Sequence, residues 1–123
     1  MLMPPNDPSR AKPLDHPSLE RPHRVYAALT NKCNRACPWC STCSSPKGST
    51  YLGVEEFITG FPKEGLFQVQ LEGGEPTVHP QFWEFVQKAR EHPRCTHLVL
   101  CTNGVLLPRS TEDLRRFMLR ARQ

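Results

Sequence analysis

Residues 31–43 read Asn-Lys-Cys-Asn-Arg-Ala-Cys-Pro-Trp-Cys-Ser-Thr-Cys, and the rest of the chain is interpreted around this stretch. Cys33, Cys37 and Cys40 stand in a CxxxCxxC spacing. The chain has six cysteines and shows no export signal, which predicts a reducing compartment, the cytoplasm. In such a compartment closely spaced thiols more often bind a metal or a cluster than form disulfides, so this loop is a candidate metal centre.

The spacing leaves open which centre the loop would bind. Cys33, Cys37 and Cys40 could bind three irons of a four-iron cluster and leave the last iron for a substrate or cofactor. Cys43 adds a fourth thiol, which could instead close the cluster or complete a structural zinc site. The open cluster and the closed site are both compatible with this pattern.

The length and charge of the chain limit the other possibilities. A chain of 123 residues with net charge +4 is large enough for one small domain with a modest core. Four arginines lie in the last predicted helix, and we interpret them as a solvated face (Arg115, Arg116, Arg120 and Arg122). No apolar stretch is long enough to span a bilayer. We therefore expect neither a nucleic acid nor a membrane as a partner.

The composition predicts two regions. Residues 1–23 contain six prolines among polar and charged residues, and we expect a disordered or extended arm there. Residues 24–123 carry the regular patterns of a folded domain.

Those patterns predict three strand–helix pairs. The predicted strands are 25–30, 66–71 and 96–101, and the predicted helices are 54–59, a second that Pro80 opens and that ends before Pro93, and a third that Ser110 caps. Apolar residues recur at helical spacing in the last two helices (Phe82, Phe85, Val86, Ala89; Leu114, Phe117, Met118, Ala121). In the second strand Phe67, Val69 and Leu71 alternate with Gln68, Gln70 and Glu72. In a parallel sheet this predicts one packed face and one polar inner face, and the alternative is a half-exposed antiparallel strand.

A loop with unusual chemistry follows each strand. The cysteine loop follows the first, Gly73-Gly74-Glu75-Pro76 the second and Thr102-Asn103-Gly104 the third. In a parallel α/β sheet with right-handed crossovers, the carboxyl ends of the strands lie at one edge. We therefore expect the three loops to form a single site.

Together these motifs resemble the radical S-adenosylmethionine enzymes. Residues 33–40 resemble the family's CxxxCxΦC loop with Trp39 as the aromatic Φ, residues 73–76 its GGEP turn, and residues 102–104 a turn after its third strand. The resemblance covers about residues 24–123 and implies the parallel (βα)3 half of the family's partial TIM-like barrel.

The resemblance implies specific roles for these residues. Cys33, Cys37 and Cys40 would bind a four-iron four-sulfur (4Fe-4S) cluster, and the amino and carboxylate groups of S-adenosylmethionine would chelate its fourth iron. An electron from the cluster would then cleave the cofactor to methionine and a 5′-deoxyadenosyl radical, which abstracts hydrogen from a substrate. The residues expected to contact the cofactor are Trp39 near the adenine, Gly73, Gly74, Glu75 and Pro76 at the methionyl amino group, and Thr102 with Asn103 at the methionyl or ribose end.

The chain departs from the family pattern in two ways. Cys43 is not part of the family's three-cysteine set. The family core has six strand–helix units where three are predicted here, and the third strand would be an exposed edge. The missing units predict a second chain that supplies the other half of the barrel. The chemistry that the resemblance implies also predicts a reducing electron donor such as flavodoxin or ferredoxin, and an unspecified substrate. The alternatives are a non-catalytic zinc or closed-cluster module that uses all four loop cysteines, and an inactive fragment that needs its partner half.

Overall fold

Three parallel strands and three helices make up the fold in the computed structural model, which describes residues 22–122. The elements are β1 (His23–Ala28), α1 (Val54–Thr59), β2 (Phe67–Glu72), α2 (Phe82–Glu91), β3 (Cys95–Leu100) and α3 (Thr111–Arg122). The strand order is β1-β2-β3, so β2 is central and the predicted parallel α/β architecture is confirmed. The arm predicted for residues 1–23 lies almost entirely outside the described residues.

Alternation along β2 separates the two faces of the sheet, as predicted. Phe67, Val69 and Leu71 are fully buried, whereas Gln68, Gln70 and Glu72 are half-buried on the opposite face. On that polar face the Gln70 side-chain amide donates a 2.7 Å hydrogen bond to Glu72. The apolar face packs against α1 and α2 to form the core, whose other buried members include Phe57, Phe61, Phe82, Phe85, Val86 and Ala89.

Both outer strands begin earlier than predicted. β1 ends at Ala28 and not at residue 30, although the Leu29 N–H still donates to the Glu72 carbonyl at 2.8 Å. Thr30 leaves the sheet because its hydroxyl donates to the Thr50 carbonyl at 2.7 Å, where the chain enters the cysteine loop. β3 begins at Cys95, and an irregularity in its pairing with β2 lies between Phe67 and Gln68.

The start of α2 corrects one prediction. Pro80 does not take the first helical position, because α2 begins at Phe82. Instead Pro76 opens a short 3-10 turn (Pro76–Val78), and the chain then bends at His79, whose ring Nδ1 accepts the Gln81 N–H at 3.0 Å. The Nε2 of that buried ring donates to the Leu52 carbonyl at 2.9 Å, so His79 links this bend to the segment before α1.

Only part of the third strand–helix pair is packed. Ser110 caps α3 as predicted, since its hydroxyl accepts the Asp113 N–H at 3.1 Å. The apolar stripe of α3 is incompletely covered: Phe117 and Ala121 pack against the core, but Leu114 and Met118 are exposed. No helix within residues 22–122 is long and apolar enough to cross a membrane.

Candidate metal centre

The cysteine loop is closed at its base by hydrogen bonds to Asn31. The Asn31 N–H donates to the Thr50 carbonyl at 3.3 Å, and the Asn31 side-chain oxygen accepts the Thr50 N–H at 2.9 Å. Its carbonyl accepts the Ser45 N–H at 3.2 Å. A Cβ on Gly48 would lie 2.2 Å from that carbonyl oxygen, so this close crossing requires glycine. The base of the loop is thus fixed.

The thiols of the loop are free to bind a metal. Cys33, Cys37 and Cys40 are half-buried, Cys43 is exposed, and all are unpaired. Cys43 also has a φ of 51°, which sets its backbone apart from that of the other three. Three half-buried free thiols in the CxxxCxxC spacing fit the ligands of an iron–sulfur cluster.

One metal ion and a cluster place different demands on these thiols. A zinc ion needs four ligands at about 2.3 Å or less from one centre, whereas each thiolate of a four-iron cluster binds a different iron. Among residues 22–122, no three His, Cys, Asp or Glu side chains are grouped around a point that a single ion could occupy. The open cluster and the zinc site both stay predictions.

Local hydrogen bonds favour the thiolate form of Cys40. Its sulfur lies 3.3 Å from the Thr42 hydroxyl and accepts the Ser44 N–H at 3.4 Å. These contacts, with the Thr42 hydroxyl as the largest cause, lower the pKa of Cys40 from 9.0 to about 7. Because iron binds the thiolate and not the thiol, this environment suits a cluster ligand.

Gly73 and Gly74 allow β2 to end directly against the first loop. Both have positive φ values, 80° and 57°. A Cβ on Gly73 would lie 2.6 Å from the Ala28 Cα, and one on Gly74 would lie 2.2 Å from the Lys32 carbonyl oxygen. The Lys32 carbonyl also accepts the Glu75 N–H at 3.0 Å. The glycines are thus required for contact with the chain's own backbone, while their contact with a cofactor stays a prediction.

Glu75 joins the second turn to the third. Its carboxylate is fully buried and accepts hydrogen bonds from the Thr102 hydroxyl at 2.5 Å, the Asn103 N–H at 2.8 Å and the Thr77 hydroxyl at 2.8 Å. Because these donors occupy the carboxylate, the backbone of the turn is the part that can meet a ligand. The contact of Glu75 with the methionyl amino group stays a prediction.

Asn103 joins the third turn to the cysteine loop. Its side-chain amide donates to the Asn34 side-chain oxygen at 2.7 Å and lies 3.7 Å from the Cys33 sulfur. The three loops therefore lie together, as the strand order predicted. The sequence did not predict that Asn34 and Thr77 contribute to the site. No local pattern marks Asn34, because its hydrogen-bond partner Asn103 lies 69 residues away.

The two remaining predicted residues differ in exposure. Trp39 lies on the cysteine loop and is 83% exposed. Pro76 is fully buried and opens the 3-10 turn. The cofactor contacts assigned to Trp39, Pro76, Thr102 and Asn103 stay predictions.

Comparison with known proteins identifies the family. The sequence profile described as the Radical SAM superfamily matches residues 28–121, and the chain belongs to that superfamily. GTP 3',8-cyclase of Chlorobaculum tepidum is 33% identical over 93 residues, which cover 73% of this chain and 28% of that enzyme. Mycofactocin maturase MftC of Mycobacterium ulcerans is 34% identical over 90 residues, 71% of this chain and 24% of the maturase.

A third relative is eukaryotic. Molybdenum cofactor biosynthesis protein 1 of Drosophila melanogaster is 31% identical over 103 residues, 76% of this chain and 18% of that protein. The chain thus spans less than a third of the length of each of these relatives.

Proposed function

We propose that residues 24–123 form the cofactor-binding part of a radical S-adenosylmethionine enzyme, an oxidoreductase in which Cys33, Cys37 and Cys40 hold a 4Fe-4S cluster. The observation that carries the proposal is the joining of three strand-end loops through Glu75 and Asn103 beside three free thiols. Parallel sheets place ligands at this edge, outside the carboxyl ends of the strands.

Different residues of the chain have different proposed roles at this site. The cluster, when bound, supplies the electron that cleaves S-adenosylmethionine to methionine and a 5′-deoxyadenosyl radical. Glu75 fixes the second and third turns relative to each other, so that their backbone groups are oriented before the cofactor arrives. The ring of Trp39, which is exposed, would cover a bound cluster and exclude water from it. Cys43, which is outside the three-thiol set, is not a ligand.

The polar face of the sheet is the proposed substrate side. Gln70 and Glu72 lie there, and Glu72 directly precedes the Gly73–Gly74 turn. The relatives have names that point to different reactions, a GTP cyclase and a mycofactocin maturase. The proposal is therefore restricted to the step that the family shares, with the substrate unspecified.

The third strand–helix pair supports a proposal about partners. Within residues 22–122, β3 pairs on one side only, with β2, and an apolar groove of about 950 Å³ runs beside it. The groove is lined in part by Leu98, Leu100, Leu114 and Met118. We propose that further strands of the barrel cover this groove, supplied by a second chain or by further sequence. A flavodoxin or ferredoxin as electron donor and a cytoplasmic location complete the proposal, the latter supported by six unpaired cysteines.

The test is anaerobic reconstitution with iron and sulfide followed by electron paramagnetic resonance of the reduced protein. We expect a four-iron signal that changes when S-adenosylmethionine is added, because the cofactor binds the open iron. We expect Cys37→Ala to abolish the cluster and the matched variant Cys43→Ala to retain it. Equal loss of iron in both variants would contradict the three-ligand assignment. A colourless protein with one zinc per chain would instead support the structural module.

A further inference from the structure

The Asn103 side chain is held in one orientation by contacts on both ends of its amide. The side-chain oxygen accepts the Val105 N–H at 3.0 Å, which identifies the opposite end as the NH2 group. That NH2 group donates to the Asn34 side-chain oxygen at 2.7 Å and points at the Cys33 sulfur at 3.7 Å. The Asn103 main-chain N–H independently donates to Glu75 at 2.8 Å. Hydrogen bonds thus hold both the side chain and the main chain of Asn103.

The Cys33 sulfur therefore has N–H donors from two separate loops. The Arg35 N–H, from the cysteine loop itself, donates to it at 3.4 Å. The Asn103 amide comes from the third turn, 70 residues along the chain. The Cys33 thiol also lies 3.8 Å from the Asn34 side-chain oxygen, but a thiolate has no hydrogen to donate there. Once Cys33 is deprotonated, Asn34 retains only its bond from Asn103.

We propose that Asn103 is a positioning residue for the Cys33 ligand, which it holds against the third turn while donating an N–H to the ligand sulfur. The proposal rests on the proposed function, because it takes Cys33 as a cluster ligand. Hydrogen bonds to the sulfurs of an iron–sulfur cluster stabilise its more negative, reduced form and so raise its reduction potential. Residues that hydrogen-bond to a metal ligand and orient it also affect how tightly the protein retains the metal.

The first readout needs no cluster. In the protein without iron, the alkylation rates of Cys33 and Cys37 by iodoacetamide are compared by peptide mass spectrometry. We expect Asn103→Ala to change the rate at Cys33 and leave Cys37 at its original rate, since of these two cysteines Cys33 alone has a hydrogen bond with Asn103. Urea unfolding of the same sample tests whether the variant is folded, and the substitution keeps the main-chain N–H that donates to Glu75. Equal changes at both cysteines would indicate a loosened loop and overturn the proposal.

The second readout uses the reconstituted cluster before S-adenosylmethionine is added. We expect Asn103→Ala to lower the midpoint potential and to weaken iron retention against a chelator about tenfold. Asn103→Asp should lower the potential further, because a carboxylate removes the donor and adds negative charge. The matched control is Asn34→Ala, which removes the amide's other partner and leaves its donor to Cys33 in place. It should have the smaller effect on the potential.

The outcomes separate this inference from the proposed function. If the unaltered chain takes up no cluster, the proposed function fails. If it takes up the cluster, and Asn103→Ala and Asn103→Asp leave the potential and iron retention unchanged, the inference alone fails. Loss of only the spectral response to S-adenosylmethionine in these variants would show that Asn103 contacts the cofactor instead of Cys33, and would also overturn the inference.

Discussion

The second and third strand–helix pairs carry similar sequence patterns but are buried to different extents. In β2 every second residue is fully buried, and α2 buries Phe82, Phe85, Val86 and Ala89. In β3 and α3 no residue is fully buried, although α3 has an equally regular apolar stripe. Amphipathic spacing therefore identifies the face that a helix turns inward, but not whether anything covers it.

Position in the sheet accounts for this difference. β2 is central and pairs with a strand on each side, and its apolar face packs into one core with residues of α1 and α2. Within the described range, β3 pairs only with β2, and the groove beside it is open. Leu114 and Met118 consequently stay exposed, whereas Phe117 lies 5.0 Å from Trp83 between ring centroids and packs against the second pair.

The largest expected effect compares one phenylalanine from each pair. Phe85→Ala should lower the free energy of unfolding by about 3–5 kcal/mol, because Phe85 is fully buried and its removal leaves a cavity. Phe117→Ala should cost about 1–2 kcal/mol, since the ring is half-buried and less apolar area returns to water. Urea unfolding followed by circular dichroism measures both. Equal losses would show that α3 is packed as firmly as α2 and would remove the contrast.

A slightly smaller effect compares two glycines with positive φ. Gly74→Ala should cost about 3 kcal/mol, because its Cβ would meet the Lys32 carbonyl oxygen at 2.2 Å and its φ is already unfavourable. Gly104→Ala is the matched control: its φ is 78°, but a Cβ there meets no atom within 4 Å. Gly104→Ala should lower the free energy of unfolding by only about 1 kcal/mol, the cost of holding alanine in a left-handed backbone conformation. The same urea titration distinguishes them, and indistinguishable midpoints would mean that the Gly74 turn can move away from the first loop.

The smallest effect concerns cysteine reactivity at the two ends of the sheet. The Thr42 hydroxyl and the Ser44 N–H lower the pKa of Cys40 to about 7, whereas burial raises the pKa of Cys95. About half of Cys40 is thiolate at pH 7, so we expect it to react with iodoacetamide at least roughly tenfold faster than Cys95. The ratio should fall as pH rises, since Cys95 then ionises too.

The control for this prediction is Thr42→Val, which removes the largest cause of the lowered pKa. The alkylation rate of Cys40 in the cluster-free protein should then fall at pH 7 and recover at higher pH. A rate at pH 7 that is unchanged by the substitution would contradict the role of the hydroxyl.

Most of the fold could be predicted because its signals are local. The alternation in β2, the stripe of α2 and the Ser110 cap each depend on neighbouring residues, and each prediction was confirmed. Element boundaries were predicted less well. Pro80 has the right chemistry for a first helical position, but a contact between Gln81 and the His79 ring, which is itself bonded to Leu52, delays the helix to Phe82.

The sequence alone determined the family, the order of strands and helices, and the three loops that meet at one edge of the sheet. These follow from spacing along the chain and from the direction of parallel strands. Tertiary structure alone decided what the loop residues contact: the Glu75 carboxylate joins two turns, Asn103 reaches Cys33, and Gly74 passes against Lys32. The residues in each of these pairs are 27 to 70 positions apart along the chain. Spacing cannot predict such contacts, because they exist only after the strands have paired and brought distant loops within hydrogen-bonding distance.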